Sequence, residues 1–334
     1  MSEPSSSPKR RGRLLRFGAS CVVLSAVAGY VVVQYVTGGT DDPGCRVASG
    51  GAHGATYEFT PEQAVNAATI AAVGTNRSMP ERAVAIALAT ALQESGLRNL
   101  THGDRDSLGL FQQRPSQGWG TEKQVTDPAY AANIFYEHLA KVRDYTELPL
   151  TVAAQRVQRS GYPEAYAKHE PDATVLAAAL TGTAAATLTC NGRSAATTTA
   201  TGPDAVRAAL VRDFGRDALQ QAGAEVGARD SSSTPSADPD APAAESGGRT
   251  VTLPVAEDTT AGGRSVGERG WQLAHWAVAN ASALRIERVS YAGREWVSGN
   301  TDSRWRATGS TSAEAAGSTG AGGGTGSVRI VTAQ

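Results

Sequence analysis

The sequence has almost no net charge and few residues suited to a metal site. Its 31 lysines and arginines nearly balance 32 aspartates and glutamates, for a formal net charge of −1. This balance gives no global attraction to polyanions, so nucleic acid is not expected as a partner. The histidines are scattered without the spacing of metal ligands: His53, His102, His138, His169 and His275. We expect no metal and no other cofactor.

Cysteine is also scarce, which excludes a disulfide-dense scaffold. Cys21 lies inside an apolar run, where it is most simply a small apolar residue. Cys45 and Cys190 remain, and two cysteines in an oxidising compartment permit one bridge. Two free thiols are the alternative.

Charge is absent from one long stretch near the N-terminus. Residues 17–36 form an uncharged run of about 20 residues, long enough to cross the hydrocarbon core as one helix. The basic residues before it favour a cytoplasmic N-terminus, with the bulk of the chain outside the cell. A cleaved signal peptide is the alternative, because Ala26-Val27-Ala28 resembles a small-residue cleavage site.

Composition divides the chain into segments. We expect a cytoplasmic basic tail at 1–16, an anchor at 17–36 and a Gly/Asp-rich stalk at 37–54. A mainly α domain is expected at 55–190, followed by a linker with a short helix at 191–248. The linker is disordered by composition over its Ser/Pro/Asp-rich part. A small α+β domain is expected at 249–334.

Capping residues place the helices of the mainly α domain. Thr60 with Pro61 and Gln63 predicts a helix through about Val73, and Ser78 is expected to cap a second helix in the same way. That second helix is apolar nearly all round and should lie in the core. Later helices are predicted over 127–142, 151–160, 163–180 and 204–222. Strands are expected at "RIERVSY", "REWVS" and "SVRIV" near the C-terminus.

The second helix ends in a lone acid, Glu94, next to a loop rich in Gly, Asp and Gln. Burial and the negative end of the helix both raise the pKa of such a carboxyl. A carboxyl that stays protonated near neutral pH can protonate a glycosidic oxygen as a general acid. The structural alternative is a solvated glutamate at a fraying helix end.

The residues around Glu94 carry a more specific pattern. Glu94-Ser95-Gly96-Leu97 is followed, 15 residues after the acid, by Gly109-Leu110-Phe111-Gln112. These segments resemble the E-S-x-[FL] and G-L-[MF]-Q motifs of the lysozyme-like lytic transglycosylases that cut peptidoglycan. The stretch 103–120, G-D-R-D-S-L-G-L-F-Q-Q-R-P-S-Q-G-W-G, is similar to an actinobacterial group of envelope proteins.

The resemblance implies the roles of several residues. Glu94 would be the catalytic acid/base. The family's A-Y-N-A-G segment, whose tyrosine supports the acid, would fall on 157–161, so that Gln158 replaces that tyrosine. Residues expected to support the acid or line the glycan cleft are Ser95, Ser107, Gly109, Leu110, Phe111, Gln112, Gln113 and Gln158. Phe111 is expected to offer its ring face to a sugar.

A hydrolase normally needs a second carboxylate. Asp104 or Asp106 could supply it, although acids in such a loop more often cap turns. The same stretch begins like a calcium loop, but Leu108 and Pro115 occupy ligand positions, so that ligand set is incomplete. The resembled family manages with one acid, because the sugar's own C6 hydroxyl attacks.

The C-terminal segment resembles a small α+β domain of actinobacterial cell-wall proteins that is related in fold to zinc carboxypeptidases. The metal-bearing end of that domain normally carries histidines, whereas residues 326–331 read G-S-V-R-I-V. The resemblance therefore implies a metal-free module, in which His275 packs rather than binds metal.

Two functions follow from these observations. The first is extracytoplasmic cleavage of peptidoglycan glycan strands with Glu94 as the single acid. The second is a non-catalytic, peptidoglycan-binding or scaffold protein of the cell envelope that retains the cleft. The replacement at Gln158 favours the second, and the intact acid with its correctly spaced loop favours the first.

Overall fold

The computed structural model describes residues 44–49, 54–191, 201–221, 248–255, 263–299, 304–308 and 326–333. All of these fall in one compact unit. The predicted basic tail, the anchor at 17–36 and most of the predicted disordered linker lie outside the described residues. Within the described ranges, no helix combines the length and apolar character needed to cross a membrane.

Helices make up most of the described chain before Cys190. They are α1 (Pro61–Asn76), α2 (Glu81–Ser95), α3 (Glu122–Val125), α4 (Pro128–Ala140), α5 (Leu150–Gln158) and α6 (Glu170–Thr181). Helix α1 begins with the predicted capping box, in which the side chains of Thr60 and Gln63 each accept from the other's backbone N–H. The later helices are α7 (Pro203–Gln221), α8 (Val266–Ala279) and α9 (Ala281–Leu284).

Two antiparallel sheets accompany the helices. The first has the order β2-β1-β3, with β1 at Cys45–Ala48, β2 at Thr56–Phe59 and β3 at Leu188–Cys190. The second has the order β4-β8-β5-β6-β7. Its strands are β4 (Thr250–Pro254), β5 (Ile286–Tyr291), β6 (Arg294–Val297), β7 (Arg306–Ala307) and β8 (Ser327–Thr332). The described chain is therefore mixed α+β rather than mainly α, and the predicted stalk at 37–54 contains a strand at its end.

Helix α2 occupies the centre of the helical layer. Every residue from Ala83 to Leu92 is buried, and the helix contacts α1, α4, α5 and α6. A helix without a polar face has to be enclosed in this way, because each fully buried Leu or Ile side chain is worth roughly 1.5–3 kcal/mol relative to exposure. The prediction that this helix lies in the core is confirmed.

The disulfide prediction is also confirmed. Cys45 and Cys190 are bonded across the directly opposed positions of β1 and β3. The bond joins residues 145 apart in sequence, so it closes almost the whole helical region into one loop. A link of this kind contributes roughly 2–4 kcal/mol, mainly by restricting the unfolded chain.

Two predicted helix starts are wrong. Ser78 does not cap α2: it lies at φ 57, and Pro80 precedes the first helical residue in an extended conformation that its ring favours. The helix predicted over 163–180 begins only at Glu170, after a turn and a short 3₁₀ segment. Helix α7 lies within one residue of the predicted range 204–222, but it contains a non-helical residue, Gly215, at φ 76.

The C-terminal segment packs directly on the helical region. Helix α8 contacts α1, α6 and β3. The Gln272 amide donates to the Thr75 hydroxyl at 2.5 Å, and Trp305 Nε1 donates to the Leu188 carbonyl at 2.9 Å. Helix α7, predicted within the linker, also joins this packing, because Trp276 Nε1 donates to the buried Asp213 carboxylate at 2.8 Å. Residues 249–334 thus share their core with 55–190 where both are described.

His275 forms part of this packing, as expected. Its ring is fully buried, with Nδ1 2.8 Å from the Ala179 carbonyl and Nε2 accepting from the Thr187 N–H at 3.2 Å. Burial lowers the pKa of His275 from 6.5 to about 4, against the opposing effect of the Ala179 hydrogen bond. The ring is therefore held neutral between two segments of the helical region.

This neutral histidine makes stability depend on pH. Between pH 6.5 and 4 the unfolded chain binds a proton that the folded ring does not, so the free energy of unfolding should fall as the pH drops through this range. At about 1.4 kcal/mol for each pH unit, the loss is about 3 kcal/mol. In His275→Gln, urea unfolding between pH 4 and 7.5 should lack this component. Parallel pH profiles for the two proteins would contradict the assignment.

Candidate active site

Helix α2 places Glu94 at the edge of the core. The helix ends at Gly96, which adopts the left-handed conformation at φ 61 and lets the chain leave the helix axis. Glu94 lies in the last turn and is half-buried, whereas the following Ser95 is buried. The acid therefore sits where an enclosed helix reaches the surface.

Two side chains hold the Glu94 carboxyl. The Tyr166 hydroxyl donates to Glu94 Oε1 at 2.6 Å, from a ring that is fully buried. The Gln158 side chain, at the end of α5, also hydrogen-bonds this carboxyl. Its Nε2 donates to the Phe111 carbonyl at 2.8 Å, which ties the acid to the loop after α2.

Tyr166 is the site residue that sequence reasoning missed. The resemblance aligned the supporting tyrosine with Gln158, and the helix predicted over 163–180 placed Tyr166 inside a regular helix. The chain instead turns before Glu170, and this turn directs the Tyr166 ring at α2. The alignment left Gln158 without the hydroxyl of the family's tyrosine, and Tyr166, eight residues farther along the chain, supplies it instead.

Burial dominates the electrostatics of this acid. Desolvation raises the pKa of Glu94 above its ordinary value of 4.5, while the hydrogen bonds from Tyr166 and Gln158 act in the opposite direction. Burial, together with the nearby Glu94 charge, also raises the pKa of Tyr166. The tyrosine therefore remains a hydrogen-bond donor to this carboxyl.

Ser95 and Gly109 fix the loop beside the acid. The Ser95 hydroxyl lies 2.8 Å from the Leu110 carbonyl and 3.0 Å from the Ala91 carbonyl. Gly109 has φ 75, and a Cβ there would come within 2.1 Å of the Val125 carbonyl oxygen. Only glycine fits this close approach of two backbone segments.

Several residues expected to line a glycan cleft are buried instead. Leu110 and Phe111 are fully buried, and the Phe111 ring stacks on Phe135 with centroids 4.7 Å apart. Gln113 is 2% exposed and donates to the Ala131 carbonyl at 3.0 Å. Ser107 is also buried. The expectation that Phe111 offers its ring face to a sugar is wrong, because that face is covered by the core.

Two of the residues expected in the cleft remain partly exposed, and both are polar. Gln112 is one of them; it adopts φ 47, and its Nε2 donates to the Gly109 carbonyl at 3.3 Å. Gln158 is the other. The structure thus brings Glu94, Gln158, Tyr166 and the Phe111 carbonyl together and uses the loop's apolar residues as support.

Asp106 organises the loop. Its Oδ1 accepts from Arg114 Nε at 2.8 Å, and its Oδ2 accepts from the Ser116 N–H at 2.8 Å. The hydrogen bonds from Ser116, followed by the one from Arg114, hold the pKa of Asp106 well below its usual range. Both oxygens of this carboxylate are thus engaged in holding the loop, and the turn-capping interpretation fits it.

Metal ligands are not brought together in the described part of the chain. Within it, no three residues among His, Cys, Asp and Glu form a group that could hold an ion. Both ring nitrogens of His275 already contact backbone groups. His53 lies outside the described residues.

Comparison with known proteins adds no evidence on the role of this site. No model of a known protein family and no curated protein matches the chain.

The close approach at Gly109 can be tested against a matched glycine. Gly118 also has a positive φ, of 83, but a Cβ there would meet nothing within 4 Å. Gly118→Ala should cost about 1 kcal/mol, since only the left-handed backbone is strained. Gly109→Ala should cost a further 1–3 kcal/mol, because the added carbon strikes a backbone carbonyl. Urea unfolding of both variants measures the difference; equal losses would contradict the close approach.

Proposed function

We propose that this chain cleaves the β-1,4-linked glycan strands of peptidoglycan, with Glu94 as general acid and base. The observation that carries the proposal is a half-buried carboxyl with a raised pKa, held by Tyr166 and Gln158 at the end of a core helix. General acid catalysis requires a group that is protonated near the working pH and close to the leaving oxygen.

The motif spacing supports the same function. The resemblance to lytic transglycosylases relates Glu94-Ser95 to the loop at Gly109 to Gln112, and hydrogen bonds from Ser95 and Gln158 reach the carbonyls of Leu110 and Phe111. The two motifs are therefore parts of one local structure. We infer that the helices within 55–190 form a lysozyme-like arrangement, with two small sheets added to it.

The mechanism we infer uses one acid. Glu94 donates its proton to the glycosidic oxygen as the C1–O bond breaks, and the resulting carboxylate then accepts the proton of the C6 hydroxyl. That hydroxyl attacks C1 of the same sugar and forms a 1,6-anhydro ring. No water is consumed, and Glu94 ends the cycle protonated. The engagement of Asp106 with Arg114 and Ser116 favours this route over a two-carboxylate hydrolase.

We also propose where in the cell the protein acts. The disulfide between Cys45 and Cys190 is typical of an oxidising compartment. Together with the anchor expected at 17–36, it supports a protein attached to the cell membrane by one helix, with the bulk of the chain outside the cell. Glycan strands of the wall would then be accessible to Glu94.

A matched pair of isosteric substitutions tests the proposal. Glu94→Gln removes the proton donor, and Glu164→Gln makes the same change at an exposed glutamate. On purified peptidoglycan, the first variant should lose roughly 10²–10⁴-fold in rate, the usual contribution of a general acid. The second should retain the wild-type rate. Mass spectrometry should find 1,6-anhydro ends among the products.

Other outcomes separate the alternatives. Products with reducing ends alone would overturn the one-acid route. If the wild type and Glu94→Gln were equally inactive but both retained glycan in a pull-down, the non-catalytic peptidoglycan-binding or scaffold function would replace the enzyme.

A further inference from the structure

A pocket with a volume of about 620 Å³ lies between the loop at residues 101–108 and helix α3. This volume falls within the usual range for small-molecule sites, about 300–1,000 Å³. Its lining includes Thr101, Arg105, Ser107, Glu122 and Lys123. Neither the fold nor the proposed reaction assigns a role to this pocket.

The charges in the pocket have no partners within the described protein. Arg105, Lys123 and Glu122 are exposed, and no ion pair or side-chain hydrogen bond involves them among the described residues. The other lining acid, Asp106, is already neutralised by Arg114. The pocket therefore presents two available positive charges and one available negative charge. Unpaired surface charges add little to folding, so the fold does not account for this set.

The pocket is joined to the acid by one short turn. Leu108 lines the pocket and exchanges two backbone hydrogen bonds with Gln113, each of 3.0 Å. Within that turn the Phe111 carbonyl accepts from Gln158, which hydrogen-bonds Glu94. Leu108 and Phe111 are three residues apart, so about 11 Å is the most that can separate their Cα atoms. The wall of the pocket and the backbone segment that holds Gln158 are therefore close neighbours.

We propose that this pocket binds the peptide substituent of the glycan strand. Carboxylates of the peptide would pair with Arg105 and Lys123, and a free amine would pair with Glu122. The hydroxyls of Thr101 and Ser107 are suited to its amide groups. Without its peptide, the strand carries only the lactyl carboxylate next to the sugar ring, so it lacks both the distal carboxylates and the amine that would reach these residues. The choice of ligand rests on the proposed function, whereas the pocket and its charges do not.

Binding measurements on the full chain test this inference directly. The probes are a disaccharide–tetrapeptide wall fragment and the same disaccharide after an amidase has removed the peptide. The double variant Arg105→Gln/Lys123→Gln should bind the peptide-bearing fragment at least roughly tenfold more weakly, the loss expected for one charge-assisted hydrogen bond. Its affinity for the peptide-free fragment should not change.

A control variant removes two positive charges elsewhere. Arg304 and Arg329 are exposed in the C-terminal segment, and no ion pair or side-chain hydrogen bond is described for them. Arg304→Gln/Arg329→Gln should bind both fragments as the wild type does. If the two double variants behaved alike, or if the wild type bound the two fragments equally well, the pocket would not be a peptide site.

The two proposals can fail separately. Charge-dependent binding of the peptide by a chain that cleaves no glycan would support the pocket and overturn the proposed reaction. Cleavage of peptide-bearing and peptide-free strands at equal rates, unchanged in Arg105→Gln/Lys123→Gln, would support the reaction and overturn the pocket.

Discussion

The apolar surface of helix α2 is the constraint on which the rest of the structure depends. Because residues Ala83 to Leu92 are buried on every side of the helix, other elements have to surround it, and it can reach solvent only at its ends. Its C-terminal end carries Glu94, so enclosure of the helix also sets the surroundings of the acid. Partial burial and the negative end of the helix both disfavour the charged carboxylate.

The C-terminal segment contributes to that enclosure. Helix α8 packs on α1 and α6, and both of these helices contact α2. Gln272 and His275 form hydrogen bonds across this boundary, and Trp305 donates across it as well. Truncation at the linker would therefore expose core surface of the helical region. The tryptophans of this segment serve packing, since Trp271, Trp276, Trp296 and Trp305 are all buried.

Local sequence signals predicted the parts of the fold that depend on neighbouring residues. The capping box at Thr60, the apolar pattern of α2 and the position of Glu94 are of this kind. Strand β3 spans only Leu188–Cys190 and pairs with β1, more than 140 residues away, so no local pattern marks it. The docking of the C-terminal segment is likewise a match between distant surfaces.

The same distinction, between local sequence patterns and contacts of distant residues, explains how much of the site the sequence could predict. The two motifs predicted that the acid lies next to its loop, and the Ser95 hydroxyl does contact the Leu110 carbonyl. Tyr166 is 72 residues from Glu94, and it reaches the carboxyl only because the chain turns before α6. The direction of the Phe111 ring depends on Phe135, a neighbour that comes from another helix. Motif spacing identifies which segments meet, but packing decides which side chains face a ligand.

The most direct test of this account is the titration of the Glu94 carboxyl by ¹³C NMR. In the wild type its pKa should lie above the ordinary value of 4.5, because burial outweighs the hydrogen bonds that it accepts. Tyr166→Phe removes one of those bonds and should raise the pKa further, whereas Tyr162→Phe, at a tyrosine that is 78% exposed, should leave it unchanged. If Glu94 in the wild type titrated at the ordinary value, the acid would not be poised by the core, and the proposed reaction would lose its basis.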